Sequence, residues 1–201
     1  DIIYVDPAGN ISGDSANLAV TLDTATAAPA VGPDLDSGSD TGSSTTDDLT
    51  NDTTATFTGP ANAVEGNATV WLRVGGADTR STTANADGSY SVTLQVGDLA
   101  AGAKIVDIYY VDPAANTSVD SANMTVTLDT LVADPALPDM ASASDTGLDN
   151  SDDITAETRP TIGGGAGAVE GSSTVHVWLD TPGAVDTEVG TAQAAANGSW
   201  T

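Results

Sequence analysis

The sequence contains no cysteine, only four Lys and Arg residues and a single histidine. Without cysteine the chain can form no disulfide framework, thiol nucleophile or thiolate metal site. Its 29 Asp and Glu residues give a net charge of −25, which argues against nucleic acid or an anionic membrane as a partner and favours the attraction of cations. Aromatic residues make up only 4%, so we expect thin hydrophobic cores.

Long apolar segments are missing as well. No run approaches the roughly 20 apolar residues of a membrane-spanning helix, and the first residues carry no pattern of a secretory signal. We therefore expect no membrane insertion. Because the chain does not begin with Met, we interpret it as a segment of a longer protein.

Catalytic chemistry is not indicated by the sequence. His176 falls in the middle of a predicted strand, with no paired acid at a useful spacing. The serines occur without the turn motif or the base that activates a nucleophile. We therefore predict that the chain is not an enzyme.

An internal repeat is the main feature that the sequence does contain. The segment Asp107 to Thr130, DIYYVDPAANTSVDSANMTVTLDT, closely matches the opening segment Asp1 to Thr24, DIIYVDPAGNISGDSANLAVTLDT. Matching motifs follow in the same order, with SDTG at 39–42 and 144–147 and AVEG at 63–66 and 168–171. Such self-similarity indicates one unit used repeatedly. A unit of about 105 residues is large enough for its own core.

The position of the match predicts how the chain is divided. We interpret residues 1–24 as the last two strands of a preceding repeat, with strands expected at Asp1 to Asp6 and Leu18 to Asp23. Residues 25–130 form a complete repeat in this interpretation. Residues 131–201 supply the first four to five strands of a following repeat.

Short alternating runs separated by Gly, Asn, Asp and Pro are typical of an all-β sandwich. The complete repeat is predicted to have seven strands, at 33–38, 53–58, 68–74, 78–84, 89–96, 104–111 and 122–129. Tyr90, Val92, Leu94 and Val96 are expected to point inward from the fifth of them.

The phase of the third predicted strand decides where Trp71 points. Val70 and Leu72 lie on one face, while Trp71 alternates with them and therefore lies on the other. We predict that Trp71 packs on the outer face of a sheet, against Tyr109 or Val111, and not in the core.

The segment Asp34 to Asp52, DLDSGSDTGSSTTDDLTND, is the least hydrophobic part of the repeat. Two interpretations remain open, a solvated loop or a loop that folds around a cation. Calcium takes six to eight oxygen ligands, so an Asp-rich loop with Gly and Ser suits it. Asp34, Asp36 and Asp52 are expected to face solvent.

Four motifs in fixed order resemble the tandem bacterial immunoglobulin-like repeats of giant type I-secreted adhesins and biofilm-associated surface proteins. They are DPAGN, VTLDT, the pair SDTG and TDDLTNDTTATFTG, and ADGSY. The resemblance covers the whole chain and implies tandem seven-stranded immunoglobulin-like sandwiches in an extended rod, outside the cell, with calcium at the junctions. The departures are Ala115 in place of the Gly of DPAGN and ITAETRPTIGG in the second copy, which concern single ligands and not the fold.

The order of a sandwich predicts which acidic residues lie together. The loops that hold Glu65, Asp87 and Asp112 are expected at the end where the chain enters the domain. The linker residue Asp23 should therefore lie near Glu65 and Asp112, where a calcium ion would bind.

The next junction is predicted in the same way. Asp129 should lie near Glu170 of the following domain and near the exit loop of the domain before it, which contributes Asp40, Asp47 and Asp48. A second interpretation of Asp112 is that its carboxylate caps its own loop by accepting hydrogen bonds from backbone amides. The same interpretation applies to Asp6.

The functional prediction is a calcium-stiffened structural rod for cell-surface adhesion, with neighbouring repeats of the same protein as its partners. A first alternative is the subunit of an extracellular filament, in which residues 131–201 of one chain pair with 1–24 of an identical chain. A second alternative is a carbohydrate-binding module with Trp71 and Trp178 as platforms. Their non-equivalent positions make a glycan partner the less favoured prediction.

Overall fold

The structure is a computed structural model and describes residues 1–180 and 182–201. The chain divides into two compact units, Asp1–Thr130 and Leu131–Thr201. Twelve β-strands are the regular elements of the described residues, so the predicted all-β fold class is confirmed. No helix in that part of the chain has the length and apolar character to cross a bilayer.

The first unit contains eight strands in two sheets. They are β1 (Asp34–Leu35), β2 (Leu49–Thr50), β3 (Thr56–Gly59), β4 (Thr69–Val74), β5 (Ala77–Thr83), β6 (Tyr90–Thr93), β7 (Gly102–Val111) and β8 (Met124–Leu128). One sheet has the order β1-β3-β6 and the other the order β2-β8-β7-β4-β5. All neighbouring strands are antiparallel except β2 and β8, which run parallel.

The core lies between the inward faces of these two sheets. Val70 and Leu72 of β4, Phe57 of β3 and Ile108 of β7 are completely buried, because alternate residues of a strand point to the same face. Fully burying one such side chain contributes about 1.5–3 kcal/mol relative to leaving it exposed. The alternation seen in the sequence therefore identifies the residues that hold the repeat together.

Trp71 lies on the outer face of its sheet, as predicted. It pairs with Tyr109 across β4 and β7, and the two rings stack with centroids 6.4 Å apart and planes 8° from parallel. Arg73 lies on the same face, with its guanidinium carbon 5.7 Å from the centroid of the Tyr109 ring. The exposed face is thus stabilised by ring stacking and a cation–π contact.

One inward residue of the predicted fifth strand is misplaced. Tyr90, Val92 and Leu94 are buried, but Val96 is 76% exposed. The strand ends at Thr93, and a turn follows in which the Asp98 amide donates to the Gln95 carbonyl at 3.0 Å. The prediction for Val96 was wrong because this turn breaks the alternation.

The two strands expected within residues 1–24 are not formed. The segment contains one isolated bridge between Val5 and Ile11, and Leu18, Val20 and Leu22 are exposed. In the complete repeat, the corresponding residues 107–130 contribute the second half of β7, which pairs with β4, and β8, which pairs with the first half of β7. Within the described residues, no strand takes the place of these partners beside residues 1–24. A strand forms only where another chain segment satisfies its backbone groups.

The second unit contains the strands β9 (Asp139–Met140), β10 (Ile162–Gly163), β11 (Thr174–Leu179) and β12 (Thr187–Gln193). β9 pairs with β10, and β11 pairs with β12. The residues that correspond to β2 are not assigned to a strand here, since the described part of this unit offers them no equivalent of β8. The described residues of this unit thus contain four strands.

An arginine–carboxylate pair links β5 to the connection between β6 and β7. Arg80 Nε and Nη2 lie 2.5 Å and 2.9 Å from the two carboxylate oxygens of Asp98, and the Gln95 amide donates to the same carboxylate at 2.8 Å. The hydrogen bonds from the Arg80 guanidinium lower the pKa of Asp98. The link therefore depends on an ionised carboxylate.

This pair predicts a pH-dependent stability. Because the pKa of Asp98 is lowered on folding, its contribution is complete above the unfolded pKa and is lost as the pH falls through the folded pKa. The free-energy difference of unfolding between wild type and Asp98→Asn should be constant above about pH 5 and should decrease as the pH falls below about 4, the ordinary pKa of an aspartate. Urea titrations across this range measure it, with Arg80→Gln as the matched variant. A difference that stays constant down to pH 3 would contradict the prediction.

Candidate metal centre

The loop that carries Glu65 is held by the turn Asn85–Ser89. The Asn62 amide donates to the Asp87 carbonyl at 2.7 Å, and the Val64 amide donates to the Gly88 carbonyl at 3.2 Å. The linker adds a third bond, since the Ala30 amide donates to the Ala63 carbonyl at 2.8 Å. The Glu65 side chain therefore extends into solvent from a fixed backbone.

The Asp112 loop follows directly after β7. Asp112 Oδ1 accepts from the amides of Ala114 at 2.9 Å and Asn116 at 2.8 Å, and Oδ2 accepts from the Asn116 side chain at 2.8 Å. The same arrangement occurs at Asp6. Its carboxylate accepts from the Ala8 amide at 2.9 Å, from the Asn10 amide at 2.8 Å and from the Asn10 side chain at 2.8 Å. The predicted capping role of both aspartates is therefore observed. A carboxylate has about four lone-pair sites, so capping leaves Asp112 room for a further ligand.

Asp23 joins these two loops from the linker. One carboxylate oxygen from each of Asp23, Glu65 and Asp112 lies within 4.8 Å of the other two. Asn116 fixes the linker backbone by donating to the Asp23 carbonyl at 3.4 Å. The structure thus brings together three acidic side chains that are far apart in sequence, at the place where the topology predicted them.

No basic side chain of residues 1–130 pairs with the three carboxylates. The basic side chains of residues 1–130 are engaged elsewhere: Arg73 with Asp107 and Asp120, Arg80 with Asp98, and Lys104 with the carbonyls of Ala101 and Ala103. Two carboxylates 4 Å apart repel by ~1 kcal/mol in water and by ~4 kcal/mol at an effective dielectric constant of 20. The arrangement therefore favours a bound cation.

Local hydrogen bonds keep the Asp112 carboxylate ionised in spite of its burial. Burial alone raises the pKa of Asp112, but the hydrogen bonds from Asn116 and the neighbouring amides outweigh it and hold the pKa below its usual value. Asp112 is therefore ionised at neutral pH although it is 4% exposed. An ionised, nearly buried carboxylate is a good ligand for a hard cation.

The donor set fits calcium. All three ligands are carboxylate oxygens, and a groove of about 310 Å³ beside Glu65 is lined by 25–28, Ala30, 62–65 and Tyr110. Thr26 Oγ1 in this groove is buried, and no hydrogen-bond partner for it occurs among the described residues. Calcium completes its shell of six to eight oxygens with carbonyls, hydroxyls and water, for which such a groove leaves space.

Asp87, which was also predicted as a ligand, lies in the turn that contacts the Glu65 loop. Its Oδ1 accepts from the amide of Ser89 at 3.0 Å and from the Ser89 hydroxyl at 2.7 Å. These hydrogen bonds, with the hydroxyl bond the larger, lower the pKa of Asp87. Asp87 is outside the group of three carboxylates and instead shapes the turn that supports the Glu65 loop.

The exit loop contains the other predicted ligands, Asp40, Asp47 and Asp48. Asp40 is 3% exposed, and its Oδ2 accepts from the Asp48 amide at 3.3 Å. Asp47 is exposed and accepts from the Leu49 amide at 3.3 Å. Burial first, and then the charges of Asp40, Asp34 and Asp47, raise the pKa of Asp48.

The remaining aspartates of this loop are more ordered than expected. Asp52 was predicted to face solvent, but its carboxylate accepts from the Ser39 hydroxyl at 2.9 Å and from the Thr54 amide at 2.8 Å. Asp36 Oδ1 accepts from the Gly38 amide at 3.0 Å. The loop is therefore folded by its own side chains.

The two ligands predicted for the following junction lie in different units. In the first unit, the Asp129 amide donates to the Thr50 carbonyl at 2.8 Å. In the second, Glu170 is exposed and lines a groove of about 420 Å³ with Leu131, Ala133, Asp134 and 167–169. The Glu170 loop has the same framework as the Glu65 loop, because the Val169 amide donates to the Gly198 carbonyl at 3.2 Å.

Sequence reasoning missed the role of Asn116. Its side chain contacts both Asp112 and the backbone of Asp23, and so connects the loop to the linker. The signal was present, since both copies of the DPAxN motif end in Asn. The sequence analysis assigned no role to the Asn of this motif.

The pairing of His176 was also missed. His176 Nδ1 lies 2.6 Å from Glu188 Oε1, although no acid was expected at a useful spacing. β11 and β12 bring them together diagonally, since His176 faces Thr191 and Trp178 faces Glu188 in the register. Both side chains are on an exposed sheet face, where such a pair stabilises the strand pairing weakly.

A comparison with known protein families agrees with this architecture. A family model described as a bacterial Ig-like domain matches residues 26–130 and again residues 131–201. A solved structure, a crystal structure of a tetra-tandem repeat in the extending region of a large adhesion protein, is 22% identical with a TM-score of 0.34. The match covers 98% of this chain and 45% of that one. No curated protein matches the sequence.

Proposed function

The chain belongs to the bacterial Ig-like domain family, and we propose that it is a structural segment of an extracellular adhesin, stiffened by calcium bound at its domain entrance. The observation that carries the proposal is the convergence of Asp23, Glu65 and Asp112 within 4.8 Å. The two tandem matches to one family support a rod built from repeated sandwiches. The partners of each repeat in this proposal are its neighbours in the same protein.

The three ligands come from parts of the chain that are otherwise only loosely connected. Asp23 belongs to the linker, Glu65 follows β3, and Asp112 follows β7. Asn116 connects the Asp112 loop to the linker at Asp23 through a long hydrogen bond of 3.4 Å. A cation shared by all three carboxylates would hold the linker against the domain and neutralise their repulsion.

The chain's own residues prepare the site in three ways. Asn116 positions Asp112 and the linker backbone. The turn at Asp87 supports the Glu65 loop through the bonds to Asn62 and Val64. The exposed position of Glu65 lets an ion exchange with solvent. Calcium would supply charge neutralisation and a link between chain segments, with the millimolar affinity usual for extracellular modules.

The single prediction that tests this function is a change of shape with calcium. Small-angle X-ray scattering of the chain should show a longer and better-defined maximum dimension in about 5 mM calcium, in the range that extracellular modules bind, than in EDTA. Glu65→Gln should lose this response, because it removes one of the three converging carboxylates. Asp14→Asn, an exposed acid outside the cluster, is the matched control and should respond as wild type.

Equal scattering curves of the wild type with calcium and with EDTA would contradict the stiffening mechanism. A response that persists in Glu65→Gln would place the ion elsewhere. Matched ionic strength in all samples separates specific binding from general screening of the −25 charge.

Two further predictions from the sequence, the filament subunit and the carbohydrate-binding module, are not favoured by an observed contact. The face of Trp71 that a sugar would need is partly covered by the stacked ring of Tyr109. Both therefore remain predictions. Tryptophan fluorescence during glycan titration, and the mass of the chain in solution, would test them.

A further inference from the structure

A turn of the second unit carries an asparagine directly before a glycine. Residues 196–200 have the sequence ANGSW, and Asn197 is the one asparagine of the chain that glycine follows. Because glycine has no Cβ, its amide nitrogen reaches the side-chain carbonyl carbon of the preceding residue more easily than that of any other residue. Asn197 is exposed, so solvent has access to its side chain. The pair therefore has the composition required for spontaneous deamidation.

The side chain of Asn197 is held by Ser199. Asn197 Oδ1 accepts from the Ser199 amide at 3.1 Å and from the Ser199 hydroxyl at 2.8 Å. This oxygen gains negative charge when a nucleophile adds to the side-chain carbonyl. Donors that already point at such an oxygen stabilise the addition, as they do in an oxyanion hole. The turn thus prepares the electrophile of the reaction.

The nucleophile of the same reaction is restrained. The Gly198 amide donates to the Ala195 carbonyl at 2.8 Å, and Gly198 is buried. The nitrogen attacks only after it has lost its proton, and a buried, hydrogen-bonded amide releases its proton only when the structure around it opens. The closed turn therefore suppresses a reaction for which its side chains are otherwise well placed.

The turn is kept closed by the loop that carries Glu170. The Gly167 amide donates to the Asn197 carbonyl at 2.7 Å, and the Val169 amide donates to the Gly198 carbonyl at 3.2 Å. A Cβ at Gly198 would collide with the Val169 carbonyl oxygen, so the two segments lie in close contact. Opening the turn consequently means separating it from the Glu170 loop.

The first unit shows that an aspartate fits this turn. Residues 86–90 have the sequence ADGSY, with Asp87 in the place of Asn197. Asp87 Oδ1 accepts from the Ser89 amide at 3.0 Å and from the Ser89 hydroxyl at 2.7 Å, as Asn197 does from Ser199. The aspartate product of deamidation can therefore keep the turn. The isoaspartate product lengthens the main chain by a methylene group and so disrupts the hydrogen bonds that close it.

We propose that Asn197 is a deamidation site controlled by the opening of the turn at 195–199. The Gly198 nitrogen bonds to the side-chain carbonyl carbon of Asn197, the bond from this carbon to Nδ2 breaks, and ammonia leaves with the proton that Gly198 loses. Water then opens the resulting succinimide at one of its two carbonyl carbons, which gives aspartate or isoaspartate. Either product adds a negative charge beneath the Glu170 loop. The proposal does not depend on calcium binding at the domain entrance.

Peptide mass spectrometry of the whole chain, incubated in mildly alkaline buffer with and without urea, measures the reaction. Deamidation at Asn197 should be at least about tenfold slower in the folded chain than in urea, because opening the turn breaks several hydrogen bonds. Asn67 is also exposed but precedes Ala68, whose Cβ hinders the attack. It serves as the control within the same sample and should react far more slowly than Asn197 in urea.

Gly171→Ala tests whether the turn itself controls the rate. A Cβ at Gly171 would collide with the Ala196 carbonyl oxygen, so the turn must move, while the sequence around Asn197 is unchanged. The folded variant should deamidate faster than the folded wild type, and the two should react equally in urea. Gly190→Ala is the matched control, since a Cβ there meets nothing within 4 Å, and it should react as wild type does.

Three results would overturn the proposal. Absence of deamidation at Asn197 in urea would show that the site is unreactive. Equal rates with and without urea in the wild type would show that the fold does not restrain it. A folded Gly171→Ala that reacts as slowly as wild type would separate the reaction from the opening of the turn. Circular dichroism identifies unfolding of this variant, and the comparison of the wild type in the two buffers does not depend on it.

Discussion

Phe57→Ala is expected to destabilise the first unit by about 3–5 kcal/mol, the usual effect of removing a buried phenylalanine. Phe57 is completely buried in β3, between the two sheets. The loss is large because the ring is fully enclosed in the core, and its removal leaves a cavity that the surrounding side chains fill only in part. A domain of this size has a total stability of about 5–15 kcal/mol, and the variant should be close to unfolding.

Urea denaturation followed by circular dichroism measures this effect. Val96→Ala is the control, since Val96 is 76% exposed and its truncation should change the stability by less than about 0.5 kcal/mol. The transition of the second unit should not move in either variant. Equal midpoints for Phe57→Ala and Val96→Ala would disprove the assignment of the core.

The local pattern was sufficient to predict the faces of the strands. Alternation placed Val70 and Leu72 in the core and Trp71 outside beside Tyr109, and the structure agrees. Alternation is a property of neighbouring residues, so it survives without knowledge of the fold. It failed at Val96 because Val96 lies inside the turn that Gln95 and Asp98 close, so the alternation of the strand does not extend to it.

Pairing between distant segments could not be predicted in the same way. β2 was missed because two residues form a strand only through their parallel pairing with β8. Conversely, Asp1 to Asp6 has the sequence of a strand but forms one bridge, Val5 to Ile11, within the described chain. Strand formation depends on an available partner as much as on composition.

The candidate site was predictable to the extent that topology determined it. Strand order alone placed Asp23, Glu65 and Asp112 at the same end of the sandwich, and the structure places their oxygens within 4.8 Å. The burial of Asp40 was not predictable, because an Asp-rich segment ordinarily faces solvent. Only the hydrogen bonds of Ser39 and Thr50 show that the loop turns this side chain inward.

Gly88→Ala is expected to weaken both the fold and the entrance site. Gly88 has a φ of 80°, and a non-glycine residue in such a conformation costs about 1–3 kcal/mol. A Cβ at this position would also collide with the carbonyl oxygen of Val64 and approach the backbone of Asn62 to 3.3 Å. Since the neighbour is backbone and not a flexible side chain, the loop itself must move.

The movement would reach the metal ligands because Glu65 directly follows Val64. We expect Gly88→Ala to displace Glu65 and so to reduce calcium affinity at the entrance site by about tenfold. This corresponds to a loss of about 1.4 kcal/mol of binding free energy. In the second unit, a Cβ at Gly198 would collide in the same way with the carbonyl oxygen of Val169, which directly precedes Glu170. The glycine of the turn thus connects the stability of the sandwich to the position of its acidic loop.

Gly75→Ala separates the effect on stability from the effect on calcium binding. Gly75 also has a positive φ, 62°, but a Cβ there meets nothing within 4 Å, and it lies in the turn between β4 and β5. It should therefore lose stability through its backbone alone and bind calcium as wild type does. Melting curves in EDTA and amide shifts of residues 64–66 with calcium measure both effects in each variant. Equal calcium affinity in Gly88→Ala and Gly75→Ala would show that the turn does not position Glu65.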